Sequence, residues 1–214
     1  MRQTPSLAES ALRNSIVRLD SRNDVSCFGF PVGASGPKCA ELLSAEERER
    51  SSRIGHIATR RRFLAARAAL RVLLADMLGQ RPQEVQIHIS PAGKPFLPGH
   101  PVHFSLSHSV DWGAVAISTS REVGIDIEAP RELRHPTALD QRLPSIPGFS
   151  LLERWTLAES ALKSFGLGVH ALGSLILVRH SDAETLFAHG KVKTRAQRLQ
   201  FLPSPKHIAA VAVR

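Results

Sequence analysis

The run Val123-Gly-Ile-Asp-Ile-Glu128 limits the fold more than any other part of the chain. Its apolar residues alternate with the others one for one. A strand turns Val123, Ile125 and Ile127 to one face while Asp126 and Glu128 share the opposite one. Such a strand must cover a core with its apolar side and find a cation or a proton for its two carboxylates, which otherwise repel. Further on, Trp155-Thr-Leu-Ala-Glu159-Ser-Ala-Leu-Lys163 reads as a helix, with Glu159 and Lys163 sharing a face at i, i+4. Three acids able to converge, with a lysine one turn from the last, point to a Mg²⁺-bound site that handles phosphate. On the residues alone, a solvated strand end and an ordinary helix ion pair are the favoured reading.

Composition narrows the setting. At 214 residues the chain can bury a substantial core, as one domain or as two small halves. Cys27 and Cys39 are too few for a disulfide framework, which favours a reducing cytoplasm. The start, Met-Arg-Gln-Thr-Pro-Ser, has no apolar secretory core, and the stretch Phe165–Val178 is too short and too interrupted to span a bilayer. A cytoplasmic protein without membrane contact is expected. The net charge of +9 favours anionic partners such as phosphorylated cofactors, acidic proteins or nucleic acid. Around Arg60-Arg61-Arg62 only Phe63 could stack on a base, which argues against a dedicated single-strand binder.

Residues 1–45, with Pro31, Gly33, Gly36 and Pro37, read as strands and loops. Ser44 before Glu46 and Glu47 reads as a helix start. A long helical pattern follows from His56 to Leu78, with Phe63, Leu70, Leu74 and Met77 on one face and Gly79 placed to end it. Strands are expected at Val85–Ser90, Val102–Ser107 and Ala114–Thr119. The four prolines between Pro130 and Gly148 predict a loop or crossover. A helix over 150–165 and strands near Ser174–Val178 and Ile208–Val213 complete the pattern.

A weak internal repeat aligns Phe63-Leu-Ala-Ala-Arg67-Ala-Ala-Leu-Arg71 on Trp155–Lys163 without gaps. Amphipathic Ala- and Leu-rich helices also match by chance. If the repeat is real, two similar halves enclose a cleft. Glu159 then supplies a metal-binding wall and Arg67, its counterpart, an anion-binding wall.

Five segments together resemble the longer, two-half phosphopantetheinyl transferases of the surfactin-synthetase type. They are Arg61-Arg62-Phe63, Gly93-Lys94-Pro95, Phe104-Ser-Leu-Ser107-His108-Ser109, Gly124–Glu128 and Trp155–Lys163. The resemblance runs in order from Arg60 to Lys163, with a compatible tail from His207. It implies an α+β fold of two similar halves related by a pseudo-two-fold, each a long helix on a small, mostly antiparallel sheet. The halves are expected at 1–121 and 122–214. Such enzymes move the phosphopantetheine arm of coenzyme A onto a serine of an acyl or peptidyl carrier protein, releasing adenosine 3′,5′-bisphosphate.

By resemblance, Asp126, Glu128 and Glu159 hold Mg²⁺, with Glu159 and Lys163 in catalytic roles and Lys163 on the pyrophosphate. Lys94, Ser107, His108 and Arg62 are implied as coenzyme A contacts, Arg62 at the 3′-phosphate. Alone, Lys94 is an exposed turn lysine and Arg62 part of a solvated arginine face. The implied partners are coenzyme A and an acidic carrier protein, and a monomer is expected because two halves in one chain can build the cleft. The chain departs from the family's Trp-x-x-Lys-Glu pattern at Ala158, so one cation expected near the phosphates is missing. Restoring lysine at position 158 is expected to improve coenzyme A use. Neither Asp140 nor Glu153 has a matching context for a general base, which stays unassigned. Two alternatives remain: a pseudoenzyme that binds coenzyme A or a carrier, and a nucleic-acid-binding module using Arg60–Arg62 and Lys191-Val-Lys193-Thr-Arg195.

Overall fold

A computed structural model describes residues 5–22, 24–33 and 37–214. In chain order the elements are α1 (Leu7–Ser15), β1 (Val17–Arg22), β2 (Val25–Pro31), α2 (Ala45–Ser52), α3 (Ile57–Leu78), β3 (His88–Ile89) and β4 (Pro95–Phe96). They continue as β5 (His103–His108), β6 (Trp112–Ser118), β7 (Val123–Glu128), α4 (Pro136–Arg142), α5 (Leu151–Phe165), β8 (Ile176–His180), β9 (Thr185–His189), β10 (Val192–Leu199) and β11 (Ile208–Val213). The helices begin and end where local chemistry allows. Ser44 with Glu47, and Ser150 with Glu153, form reciprocal capping boxes at α2 and α5. Gly79 and Gly166 close α3 and α5 in left-handed backbone, at φ of 66° and 75°.

Two antiparallel sheets carry the fold, in strand orders β1-β2-β6-β5 and β7-β11-β10-β9-β8. The series β2-β6-β5 and β7-β11-β10 follow one plan. In each, the strand before the long helix pairs with the last strand of its group, which pairs with the penultimate one. Period-two alternation sorts the side chains. Val115 and Ile117 of β6 pack with Leu70 and Leu74 of α3, while Ala114 and Ala116 face the other way. On β11, Ala210 and Ala212 meet Leu157 and Leu162 of α5, while Ala209 and Val211 face away. The faces turned from the helices join Val25, Val123, Ile125, Ile127 and Phe201 in a core shared by both sheets. The α+β architecture with long helices on antiparallel sheets is the expected one.

Several elements differ from the sequence reading. Residues 1–45 include α1, capped by the Ser6 hydroxyl, with Ala8 and Leu12 buried one turn apart. Gly36 and the Met1–Thr4 start lie outside the described residues. Met77, expected on the buried face of α3, is 45% exposed. In place of a strand over Val85–Ser90 there is only the two-residue β3, preceded by a short 3₁₀ turn at Pro82–Glu84. The buried Arg71 explains this, since its guanidinium donates to the carbonyls of Pro82 (2.7 Å) and Val85 (3.0 Å) and ties the segment to α3. The proline-rich stretch contains α4, because Pro136 sits at the first helical turn, where a missing N–H does no harm. The Lys191–Arg195 run enters β10, and charges on its exposed positions mask the alternation with buried Thr194 and Ala196. Among the described residues, no helix is long and apolar enough to cross a membrane.

Candidate active site

Gly124 decides how the site assembles. A Cβ built there would lie 2.0 Å from the Ser160 carbonyl oxygen and 2.5 Å from the Ser164 nitrogen. Only hydrogen lets β7 and α5 meet backbone to backbone. Small Ser160, Ala161 and Ser164 line the helix at this contact, all buried. The approach holds Glu159 and Lys163 over Asp126, two residues along the strand.

One oxygen from each of Asp126, Glu128 and Glu159 lies within 4.8 Å of the others. Asp126 is buried, and its Oδ1 accepts hydrogen bonds from Ser107 Oγ (2.7 Å) and Lys163 Nζ (2.8 Å). Its Oδ2 is buried without a protein hydrogen-bond partner. Glu128 accepts from Arg131 through Nε (3.1 Å) and Nη2 (2.8 Å), and from Trp155 Nε1 (3.0 Å). Glu159 lies 3.3 Å from Lys163 Nζ.

The electrostatics follow from this crowding. Burial, and then the charge of Asp126, push Glu159 above its ordinary pKa despite the pull of Lys163. Burial works against the Lys163 ammonium, but Asp126 and Glu159 outweigh it and hold the pKa above the usual lysine value. A buried carboxylate oxygen without a donor is costly. A hard divalent cation held by three carboxylate oxygens removes that cost, so the donor set fits Mg²⁺.

The remaining residues of the family motifs divide. His108 stands exposed at the end of β5, and its pKa is lowered by partial desolvation from the surrounding protein and by the nearby charges of Arg62 and Lys163, against the opposing pull of Asp126. The fold therefore brings Arg62, from the first turns of α3, to the same side as His108. Lys94 and Lys163 line one cavity of about 330 Å³ together with Gly93, Ser105 and Leu106. Lys94 is not idle there, because its Nζ binds Glu122 Oε2 (2.5 Å) and donates to the Val123 carbonyl (3.2 Å). Glu122 also meets His103 Nδ1 at 3.1 Å.

Other sequence expectations change. Ala158 is fully buried among Leu157, Ala161 and Leu162, so its β-carbon faces core rather than phosphate. Arg67 does not offer a free anion-binding wall, because it and Arg71 both bind Glu47. Asp140 is paired with Arg154, and Glu153 is taken up by the α5 cap and by Arg198 at 2.8 Å. Four contributors went unread. Glu122 directly precedes the strand box, and Arg131 lies three residues after Glu128. Ser105 and Ser109 flank Ser107 at alternate positions, a period that could have been read as one strand face.

No family model matches the chain. Its sequence is 31% identical over 193 residues to the 4′-phosphopantetheinyl transferase HetI of Nostoc sp., covering 81% of this chain and 79% of the relative. A 4′-phosphopantetheinyl transferase of Bacillus subtilis is 30% identical over 139 residues, covering 59% and 62%. A Synechocystis sp. protein named for the same activity is 33% identical over 149 residues, covering 62% and 61%. The matched region thus spans about three fifths of the latter two relatives and most of HetI. Coverage of HetI, with the ordered motifs gathered around Asp126, shows that the chain belongs to the 4′-phosphopantetheinyl transferase family.

Proposed function

We propose that this protein transfers the 4′-phosphopantetheine arm of coenzyme A to a serine of an acyl or peptidyl carrier protein. The observation that carries the reading is the Asp126, Glu128 and Glu159 cluster with Lys163 against it and one buried Asp126 oxygen without a donor. In the transfer, the carrier serine oxygen bonds to the phosphorus that bears the arm. The bond from that phosphorus to the bridging oxygen breaks, and adenosine 3′,5′-bisphosphate leaves with the electron pair. The serine proton passes to a base that stays unassigned.

Asp126, Glu128 and Glu159 would hold Mg²⁺, which when bound supplies Lewis-acid charge to pyrophosphate oxygens. Lys163 keeps its proton beside two carboxylates and adds a fixed positive charge at the same place. Arg131 and Trp155 hold Glu128 in its rotamer. Arg62 and His108 form a cationic and hydrogen-bonding wall for the nucleotide end, Arg62 reading the 3′-phosphate with its planar fork. Lys94 reaches the cofactor by exchanging Glu122 for a phosphate oxygen.

The same reading takes the two sheets with their helices as halves, 1–121 and 122–214, related by a pseudo-two-fold with the cleft between them. It also expects a cytoplasmic monomer whose +9 charge attracts an acidic carrier. The test is intact-mass analysis of an apo carrier incubated with the protein, coenzyme A and Mg²⁺. A gain of one phosphopantetheine that disappears with EDTA is expected. No gain with any of several carriers, acyl and peptidyl, would overturn the assignment.

A further inference from the structure

Ser107 carries the Ser-His resemblance, yet its hydroxyl faces a carboxylate. It is buried, and its Oγ donates to Asp126 Oδ1 at 2.7 Å. The residues two before and two after it repeat the contact toward the same strand. Ser105 Oγ accepts from the Ile125 N–H (3.1 Å), and Ser109 Oγ accepts from the Ala129 N–H (2.7 Å). β5 and β7 belong to different sheets and share no ladder. Three hydroxyls at alternate positions, two on β5 and one on the residue just beyond it, therefore fasten the edge of one sheet along the edge of the other. They satisfy two backbone donors that would otherwise be buried unpaired. The middle hydroxyl differs from its neighbours in holding a side chain.

We infer that Ser107 is a positioning residue for Asp126 rather than a contact for coenzyme A. This rests on the reading of Asp126 as a metal ligand. Two donors, Ser107 and Lys163, occupy Asp126 Oδ1 and so fix the carboxylate about its last torsion, leaving Oδ2 buried without a protein donor. Hydrogen bonds of this kind to ligating groups are worth roughly 10- to 100-fold in metal affinity. A ligand on one sheet is thereby oriented from the other, and the metal site depends on how the two are joined.

The experiment measures Mn²⁺ binding by electron paramagnetic resonance in the full chain, for wild type, Ser107→Ala and Ser109→Ala. Melting temperature and the KM for coenzyme A at saturating metal are read alongside. Ser109→Ala removes a neighbouring fastener without touching Asp126, so it reports general loosening. Expected for Ser107→Ala is a Kd for Mn²⁺ raised by about 10- to 100-fold, with an unchanged KM for coenzyme A once metal saturates. Ser109→Ala should lower the melting temperature while leaving the Kd within about threefold, since it removes no bond to a ligand. An unchanged Kd in Ser107→Ala overturns the inference, as does equal weakening in both variants. A raised KM for coenzyme A with intact metal binding returns Ser107 to the cofactor. If Ser107→Ala does not fold, Ser107→Cys keeps the volume with a weaker donor and is judged by the same Kd. Failure of wild type itself to bind Mn²⁺ overturns the metal reading, a result distinct from any of these.

Discussion

Gly124 touches Ser160 through the backbone, with room for a hydrogen and none for a methyl. The contact joins the strand that carries Asp126 to the helix that carries Glu159 and Lys163. Gly124→Ala should therefore act on stability and site together. Overpacking of a tight core costs about 1–3 kcal/mol, and here backbone must yield rather than a flexible side chain. The expected result is a lower melting temperature with a disproportionate loss of metal affinity. Wild-type Mn²⁺ binding in a folded Gly124→Ala protein would show that the close approach is not needed.

Asp126→Asn, Glu128→Gln and Glu159→Gln should each nearly abolish transfer while the protein stays folded. Removing Asp126 or Glu159 also removes a partner of Lys163, whose ammonium is then left less compensated. Rates measured across a Mg²⁺ series identify the ligands, because a ligand variant recovers partly at high metal. A variant with full activity at modest Mg²⁺ is not one.

Arg62→Ala should weaken coenzyme A use and erase the preference for coenzyme A over dephospho-coenzyme A. Loss of one hydrogen bond to a charged group corresponds to about 1.5–3 kcal/mol, or roughly 10- to 150-fold in kcat/KM. An undiminished preference places Arg62 back among the surface arginines.

The Lys94–Glu122 pair predicts a pH effect on stability. Burial raises the Glu122 carboxyl pKa, but Lys94 and then His103 and Arg214 outweigh it, so the folded pKa lies below the ordinary value. A carboxylate with a depressed folded pKa stabilises the protein above its unfolded pKa, near about 4.3. That stabilisation fades as pH falls from there through the folded pKa. Glu122→Gln should lower the melting temperature at neutral pH and flatten its fall on the acid side. Identical acid limbs in the two proteins would mean the pair is not formed in solution. Because Glu122→Gln also frees Lys94, the KM for coenzyme A should fall.

Ala158→Lys is now expected to destabilise. Ala158 has no exposed surface, and a lysine there must force its stem between Leu157 and Leu162 before its ammonium reaches water. A loss of about 1–3 kcal/mol is expected from overpacking, read as a lower denaturant midpoint. A rise in kcat/KM with unchanged stability would instead support the restored cation.

The sequence by itself determined the elements whose cause is local. Alternation placed Ile125 and Ile127 against Asp126, the Ser44–Glu47 and Ser150–Glu153 boxes opened helices, and Gly79 and Gly166 closed them. The acid cluster was legible because strand and helix periods put its members on defined faces, and the ordered motifs supplied the family. Elements set by distant partners were not legible: Arg71 takes the Val85 carbonyl and ties the preceding turn at Pro82 to α3, and neighbouring strands, not local pattern, make β9 and β10. Tertiary structure alone decided which hydrogen-bond partner each polar side chain meets. Ser107 went to Asp126, Lys94 to Glu122 and Arg67 to Glu47. Periodicity fixes the face a side chain occupies, but its partner is fixed by the packing of a strand or helix far away in the chain, and that packing is a property of the assembled core.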